Sequence, residues 1–193
     1  MPPKAKFEKS DIIKAAVSIV EREGIEMLTA RSLGKELGSS ARPIFTLFES
    51  MDEVSRSVLE YADALYGEYV VKGLGENIAF KGVGKAYIEY AFDHPRLFQL
   101  LFMKERSKFN DKESVLKGIE NHYEQIISSI RDSYFVDRKC ATDLYFHLWV
   151  YTHGIAVLTA TNVCRFTQQQ ISEMLTQVFT SLLGKLKSED NYD

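Results

Sequence analysis

Two arginines near the N-terminus have the chemistry to recognise nucleic acid. Arg31 and Arg42 lie on either side of Gly38, in a segment from Thr29 to Phe48 that reads TARSLGKELGSSARPIFTLF. A planar guanidinium can donate two parallel hydrogen bonds to the edge of a guanine, and it can also neutralise a backbone phosphate. We therefore expect these side chains to read bases or hold phosphates, provided that the backbone presents both at one surface.

The surrounding pattern predicts a helix-turn-helix. Thr29 is a good N-cap for a helix that carries Leu33 and Leu37 on its inner face. Gly38 suits the positive φ that so tight a turn requires. A second short helix is expected over about residues 41–47. The segment thus predicts the two helices of a DNA-binding helix-turn-helix.

In this motif the second helix enters the major groove while the first crosses the phosphate backbone. That would place Ala41, Arg42 and Thr46 at base edges and Arg31 within reach of a base or a phosphate. The same corner also occurs in helical proteins that never bind DNA, so the motif alone leaves both interpretations open.

A basic N-terminal arm offers a further contact with nucleic acid. Its members are Lys4, Lys6 and Lys9. Such an arm could follow phosphates or enter a minor groove. The alternative is a solvated tail without a binding role.

The chain as a whole reads as all-α. It has only four prolines, and no segment shows the strict apolar and polar alternation of half-buried strands. The first helix is expected to begin after Ser10 as its N-cap. About nine helices are predicted, over residues 11–23, 30–38, 41–47, 52–73, 80–92, from 95 onward, 113–133, 138–162 and 168–187. We expect a helix-turn-helix DNA-binding domain over residues 1–50 and a helical regulatory, ligand-binding and dimerisation domain over residues 51–193.

Composition excludes several classes of protein. A chain of 193 residues with 45% hydrophobic and 26% charged residues is globular and not disordered. Its apolar stretches are far shorter than the roughly 20 residues that cross a bilayer, and the N-terminus lacks a signal peptide's apolar core, so we expect a soluble cytoplasmic protein.

Cys140 and Cys164 are not expected to pair, because both lie in one predicted helical region. A net charge of −3 argues against a wholly basic protein but permits a local DNA-binding patch.

The second half of the chain is rich in aromatic residues at helical spacing. Helical proteins hold small ligands in apolar clefts that contain a few polar groups. Most of these aromatic side chains are expected in the core, and a minority are expected to line a pocket. The best candidates are Phe98, Phe102, Tyr123, Tyr145, Trp149 and His153. The four histidines do not fall at metal-ligand spacing, so neither a metal nor another cofactor is expected.

The last two predicted helices carry a wide apolar face. That face exceeds what a terminal helix needs for its own docking, so a helical bundle with a second copy of the chain is predicted. The candidate interface residues are Leu158, Ile171, Leu175, Val178, Phe179 and Leu182. A monomer with a buried C-terminal hairpin is the alternative.

Residues 10–54 resemble the DNA-binding domain of TetR/AcrR-family transcriptional regulators. The matching cues are Ala15-Ala16, Gly24, Leu28-Thr29, Arg31, Leu33, Leu37-Gly38, Phe45 and Phe48. Further on, YAFDHPRLFQLLF (residues 90–102) and WVYTHG (residues 149–154) resemble the WHG-type C-terminal regulatory domain found in part of that family. The resemblance implies a homodimer that binds a palindromic operator on double-stranded DNA, usually as a repressor, and releases it when a small molecule enters the C-terminal domain.

The resemblance also implies roles for single residues. Thr29 would cap its helix and touch a phosphate, while Arg31 and Arg42 would read bases. The full set of expected DNA contacts is Thr29, Arg31, Ser40, Ala41, Arg42, Pro43, Phe45, Thr46 and Met51.

Three positions depart from the family pattern. Phe45 lacks the hydroxyl of the usual tyrosine, Leu47 replaces a residue that is commonly polar, and Met51 stands where a lysine is usual. Because each change removes a contact with DNA, the alternative function is a helical ligand-binding or protein-interaction module that keeps the fold with weakened DNA binding. An enzyme is not expected, because the sequence has no nucleophile elbow, Gly-rich phosphate loop or H-E-x-x-H motif.

Overall fold

The computed structural model describes residues 7–105 and 111–189, and every regular element in these ranges is helical. A single 3₁₀ turn, Ile25–Met27, follows the first helix. The α-helices are α1 Lys9–Glu23, α2 Ala30–Glu36, α3 Ile44–Leu47, α4 Met51–Leu74, α5 Ala79–Asp93, α6 Pro95–Phe102, α7 Lys112–Ile119, α8 Tyr123–Tyr134, α9 Arg138–Ala160 and α10 Gln168–Glu189. The prediction of an all-α fold is confirmed.

The chain forms two compact units. The first contains the described residues up to Ala64 together with His94–Lys104, and the second contains Leu65–Asp93 and the described residues from Glu105 onward. In the first unit α1 packs against α2 and α6, and in the second α5 and α10 pack against α9. Helix α4 begins in the first unit and ends in the second, so the domain boundary expected at residue 50 stays a prediction.

Helix α1 begins earlier than predicted. Its N-cap is Glu8, and the expected N-cap Ser10 already lies within the helix. The side chain of Asp11 explains the shift, because it accepts a hydrogen bond from the backbone N–H of Glu8 at 2.9 Å. Lys9 is therefore part of α1 and not of a free arm, while Lys4 and Lys6 lie outside the described residues.

The predicted recognition helix over residues 41–47 is shorter than expected. Only Ile44–Leu47 is α-helical, and Ala41, Arg42 and Pro43 form the turn before it. A proline has no N–H to offer an α-helix and disfavours helical geometry in the residue before it. Pro43 consequently stands at the N-cap.

The predicted helix over residues 113–133 is two helices, so the described residues contain ten α-helices where about nine were predicted. Between α7 and α8 the backbone of Glu120 is extended at φ −136°, and its carboxylate is buried. The carboxylate accepts hydrogen bonds from the backbone N–H of His122 at 2.9 Å and from the hydroxyl of Tyr66 at 2.7 Å, and the ring Nδ1 of His122 lies 3.2 Å from it. This carboxylate ends α7. Helix α7 begins at Lys112, and residues 106–110, which precede it, lie outside the described residues.

Helices α4 and α5 approach each other closely in the second unit. A Cβ added to Gly82 would stand 2.1 Å from the carbonyl oxygen of Gly73, and a Cβ on Gly73 would stand 2.7 Å from the Gly82 backbone. The two backbones can come this close only because both residues are glycines and neither has a Cβ. The described helices include none with the length and apolar content needed to cross a membrane.

Candidate DNA-binding surface and ligand cavity

A hydrogen-bonded cap starts the helix-turn-helix. The side chain of Thr29 accepts a hydrogen bond from the Ser32 backbone N–H at 3.1 Å, as expected of an N-cap. The Ser32 hydroxyl lies 2.7 Å from the carbonyl oxygen of Met27, to which it donates. The start of α2 is thus fixed by short polar side chains.

The turn after α2 has the hydrogen bonds of a Schellman motif. The N–H of Ser39 donates to the carbonyl of Gly34 at 2.9 Å, and the N–H of Gly38 donates to that of Lys35 at 3.0 Å. Gly38 has φ 60°, so the predicted positive φ is confirmed. Gly34 lets the turn fold back onto α2, because a Cβ there would stand 3.1 Å from the backbone of Ser39.

Charged side chains hold α2 against α1. Nη2 of Arg22 in α1 donates to Glu36 in α2 at 3.1 Å, and the Ser18 hydroxyl donates to the same carboxylate at 3.1 Å. These hydrogen bonds hold the pKa of Glu36 below its usual value. Because the groups are exposed to water, they orient the helices more than they stabilise them.

The structure leaves the predicted base-reading arginines accessible. Arg31 near the start of α2 and Arg42 in the turn before α3 are exposed, and neither forms an ion pair with another described residue. Thr46 is also exposed, although its hydroxyl donates to the Pro43 carbonyl at 2.6 Å and so offers DNA mainly an acceptor. Phe45 is 50% exposed, so part of its ring is accessible to a binding partner.

The remaining predicted DNA contacts are placed as follows: Thr29 and Ser40 are exposed, whereas Ala41, Pro43 and Met51 are half-buried.

At the start of α4, the Glu53 carboxylate accepts hydrogen bonds from the Glu49 N–H at 2.6 Å and from Lys9 at 3.0 Å. Both bonds lower the pKa of Glu53. This carboxylate, which no pattern in the sequence distinguishes, lies two residues from the predicted DNA contact Met51 and is paired with Lys9.

The second unit contains an apolar cavity of about 270 Å³. That volume lies just below the roughly 300–1,000 Å³ typical of small-molecule sites. Its wall is formed by side chains of α4, α5, α8, α9 and α10 and by one residue that precedes α5. Most of these side chains are aromatic, aliphatic or hydroxyl-bearing, and one is a lysine. The lining residues are Tyr66, Ile78, Phe80, Lys81, Val83, Gly84, Tyr87, Tyr134, Tyr145, Leu148, Trp149, Thr152, Leu175, Thr176, Phe179 and Thr180.

Two of the six predicted ligand-binding residues, Tyr145 and Trp149, line this cavity. Tyr123 and His153 stand behind the wall. The Tyr123 ring stacks on Tyr145 with centroids 6.3 Å apart, and the His153 ring stacks on Trp149 at 5.3 Å. Phe98 and Phe102 belong to the first unit, where their rings contact each other at 5.2 Å. A ligand role for these four side chains stays a prediction.

Two tyrosine hydroxyls of the cavity wall, those of Tyr66 and Tyr87, are hydrogen-bonded to residues that do not line the cavity. His153 Nδ1 lies 2.9 Å from the Tyr87 hydroxyl, and burial lowers the pKa of His153. Burial raises the phenolic pKa of Tyr66 and Tyr145 well above 10, so both phenols stay neutral at physiological pH. The carboxylate behind Tyr66, that of Glu120, was also missed from the sequence. A single buried acid has no spacing pattern that could reveal it.

The side chains predicted to form the dimer interface differ in how exposed they are. Ile171 and Leu175 are buried within the chain, and Leu158 of α9 is 37% exposed. Val178, Phe179 and Leu182 of α10 are half-buried, and Phe179 lines the cavity. Gly154 of α9 has open space beside it, because no atom of a neighbouring described segment lies within 4 Å of a Cβ built there.

Known proteins resemble this chain in both sequence and fold. Residues 80–183 match the family model described as the tetracyclin repressor-like, C-terminal domain. A curated relative is the uncharacterized HTH-type transcriptional regulator Rv0681 of Mycobacterium tuberculosis, which is 22% identical over 162 residues, or 82% of this chain and 73% of that protein.

Solved structures show the same fold. A TetR-like transcriptional regulator from Rhodococcus sp. RHA1 superimposes with a TM-score of 0.64 at 10% identity, covering 91% of this chain and 94% of that one. The fatty acid degradation regulator FadR from Bacillus halodurans superimposes with a TM-score of 0.60 at 13% identity, covering 91% of this chain and 94% of its own.

The fold, the helix-turn-helix and the family match define a ligand-responsive, DNA-binding transcriptional regulator. Because the family model covers more than half of its length, the chain belongs to the tetracyclin repressor-like (TetR) family. Regulators of this family bind DNA, are dimers and respond to small-molecule effectors. The resemblance stated from the sequence is thereby confirmed.

Proposed function

We propose that this regulator is a cytoplasmic, non-enzymatic repressor that a small molecule releases from a palindromic operator. The observation that carries the proposal is that one chain combines a helix-turn-helix with two exposed arginines and an apolar cavity of about 270 Å³. The first is suited to reading DNA, and the second to enclosing an effector.

Arg31 and Arg42 are the proposed base readers, and Thr29, Ser40 and Thr46 are proposed phosphate or base contacts. Each has its side chain exposed. Ala41, Pro43, Phe45 and Met51 complete the proposed surface. Half-exposed Phe45 can offer only apolar contact, such as packing against a thymine methyl group.

Effector binding would act by shifting a population between two conformations. Helix α4 is continuous from Met51 to Leu74, and Tyr66 on this helix lines the cavity. A ligand that fits one arrangement of α4 better than another would change operator affinity by its difference in affinity for the two. If a bound ligand left DNA affinity unchanged across a titration, this mechanism would be wrong.

We propose that the dimer forms through α9 and α10. The exposed side of α9 carries Val150, Gly154 and Leu158, and a glycine at its centre permits two helices to approach closely. Half-buried Val178 and Leu182 of α10 would complete the contact. A Leu158→Glu variant should sediment as a monomer at concentrations where the unchanged protein is a dimer, while keeping its helical circular dichroism.

A specific observation favours a second candidate function, a ligand-binding module with weakened DNA affinity. Met51 brings no charge to the start of α4, where Asp52 and Glu53 supply two carboxylates. If α4 approaches the DNA backbone, Met51→Lys should tighten binding to specific and random DNA alike and steepen the salt dependence by about one unit of slope. Met51→Gln is the matched neutral control.

The deciding experiment is the selection of bound fragments from a pool of the source genome's DNA at one fixed salt concentration. The proposal predicts a recovered palindrome whose half-sites lie about one helical turn, roughly 34–36 Å, apart. A folded protein that enriches no fragment over random DNA would favour the module instead. Reverting Phe45, Leu47 and Met51 toward the family pattern would then test whether those positions explain the loss.

A further inference from the structure

One wall of the cavity carries a cation without a counter-ion. Lys81 lines the cavity, and its Nζ donates a hydrogen bond to the Thr176 hydroxyl at 2.9 Å. It forms no ion pair with any residue in the described ranges. Lys85, one turn further along α5, pairs with Glu76 at 3.6 Å and does not line the cavity. The two lysines of the same helix therefore differ in whether the chain itself neutralises them.

Trp149 lines the wall with its ring and not with its N–H. Its Nε1 is buried against protein atoms, with no hydrogen-bond partner among the described residues and almost no surface open to the cavity. An occupant of the cavity therefore meets the apolar face of the indole.

Charge behind another part of the wall is negative. Tyr66 lines the cavity and donates its hydroxyl hydrogen to buried Glu120 at 2.7 Å. An anionic group would be repelled from this wall and drawn to Lys81. The rest of the lining is dominated by rings and aliphatic side chains, against which a hydrocarbon body gains free energy by leaving water.

We propose that the effector is a small amphipathic monocarboxylate. Lys81 holds its carboxylate through the ammonium protons that Thr176 does not accept, and the aromatic wall, which includes the Trp149 ring, encloses its hydrocarbon body. The cavity of about 270 Å³ restricts that body to a small chain or ring. The inference rests on the proposed function, because it takes this cavity as the effector site.

The sole tryptophan of the chain is Trp149, so intrinsic fluorescence reports on the cavity directly. The full chain is titrated with octanoate, octanamide and 1-octanol, each below its micelle-forming concentration. We expect octanoate to bind at least tenfold more tightly than the two neutral compounds of equal chain length. In the series hexanoate, octanoate and decanoate, each added pair of methylenes should tighten binding by about tenfold until the cavity is full.

Two variants assign the recognition to residues. Lys81→Met keeps an apolar stem but removes the charge, and it should abolish the preference for octanoate over octanamide. Lys85→Met is the matched control and should keep that preference. Trp149→Phe, measured by calorimetry because it removes the fluorophore, should weaken octanoate and octanamide binding by a similar factor.

The outcomes separate this inference from the proposed function. Equal binding of octanoate and octanamide, no binding of any acid to the folded protein, or an unchanged preference in Lys81→Met would overturn the inference. Operator binding is measured separately on the same samples. If octanoate binds as predicted without changing DNA affinity, the inferred ligand class is supported and ligand-induced release from the operator is wrong. If the protein binds its operator but binds no acid, the inferred ligand class is wrong and the proposed DNA-binding function is supported.

Discussion

Arg42 is the residue on which we propose that sequence-specific binding depends most directly. It is exposed, it precedes Pro43, and the turn that carries it is fixed by the hydrogen bonds around Gly38. Because proline restricts the backbone of the residue before it, Arg42 starts from a limited set of conformations. A restricted backbone lowers the entropy lost when a side chain is ordered against a base.

Arg42→Ala should weaken binding to the selected operator by about 1–3 kcal/mol and relax the preference at one base position if the side chain reads a guanine. Binding to random DNA of equal length is the control and should change less. Equal losses on both DNAs would assign Arg42 to a phosphate instead. Titration at two salt concentrations distinguishes the cases, because loss of a phosphate contact also flattens the salt dependence.

A second residue-scale prediction concerns the buried Tyr66–Glu120 hydrogen bond. Tyr66→Phe removes the hydroxyl and leaves a buried carboxylate with one partner fewer, so the free energy of unfolding should fall by about 1.5–3 kcal/mol. Tyr69→Phe is the matched control, because its hydroxyl donates to exposed Asp93 at 2.8 Å, and it should cost less than 1 kcal/mol, about the value of a solvated bond. Urea denaturation measures both. Equal losses would contradict a special role for the buried pair.

At the scale of elements, small residues and buried polar groups decide where helices end and how closely they pack. Glu120 separates α7 from α8, and Pro43 shortens α3. Arg138 at the start of α9 donates at 2.8 Å to Glu113 of α7 and to Glu124 of α8, which joins three helices. Hydrogen bonds from Lys117 and Arg138 lower the pKa of Glu113 to about 2, so it stays charged at neutral pH.

Gly82→Ala should destabilise the protein by about 3 kcal/mol or more, because the new Cβ would stand 2.1 Å from a backbone oxygen and the helices would have to separate. Gly184→Ala in α10 is the control within another helix. No atom lies within 4 Å of its added Cβ, so it should gain up to about 1 kcal/mol from helix propensity. Thermal and urea unfolding give both values. A stable Gly82→Ala protein would contradict the close α4–α5 contact.

At the scale of the whole molecule, a buried cluster of tyrosines links stability to pH. Burial, with the nearby charge of Glu120 adding to it, raises the pKa of Tyr66 and Tyr145 well above the ordinary 10. The folded chain therefore holds these protons to higher pH than the unfolded chain does. Stability is retained below pH 10 and is lost as the pH rises further, because the unfolded state then releases protons that the folded state keeps.

The urea concentration at the midpoint of unfolding should therefore decrease as the pH is raised from about 10 to about 11. Titration of these two tyrosines should change it little from about pH 8 to pH 10. Tyr145→Phe removes one of the two buried phenols and should make the fall shallower. A midpoint that stays level through this range in the unchanged protein would contradict the raised pKa values.

The amino-acid sequence by itself determined the fold class, most helix positions and the helix-turn-helix. These features depend on local information: helical spacing of apolar residues, the Thr29 cap and the positive φ of Gly38. The family resemblance followed from the same local motifs, because a helix-turn-helix requires its cap, its glycine and its apolar residues at fixed positions.

Only the tertiary structure decided which aromatic side chains enclose a cavity. Tyr145 and Trp149 line it, while Tyr123 and His153, which look equivalent in the sequence, stand behind them. The same holds for Lys81, which the sequence analysis did not select, and for Glu120. Whether a lysine faces a pocket without a counter-ion, or an acid is buried between helices, depends on how distant segments pack. No local pattern encodes that arrangement.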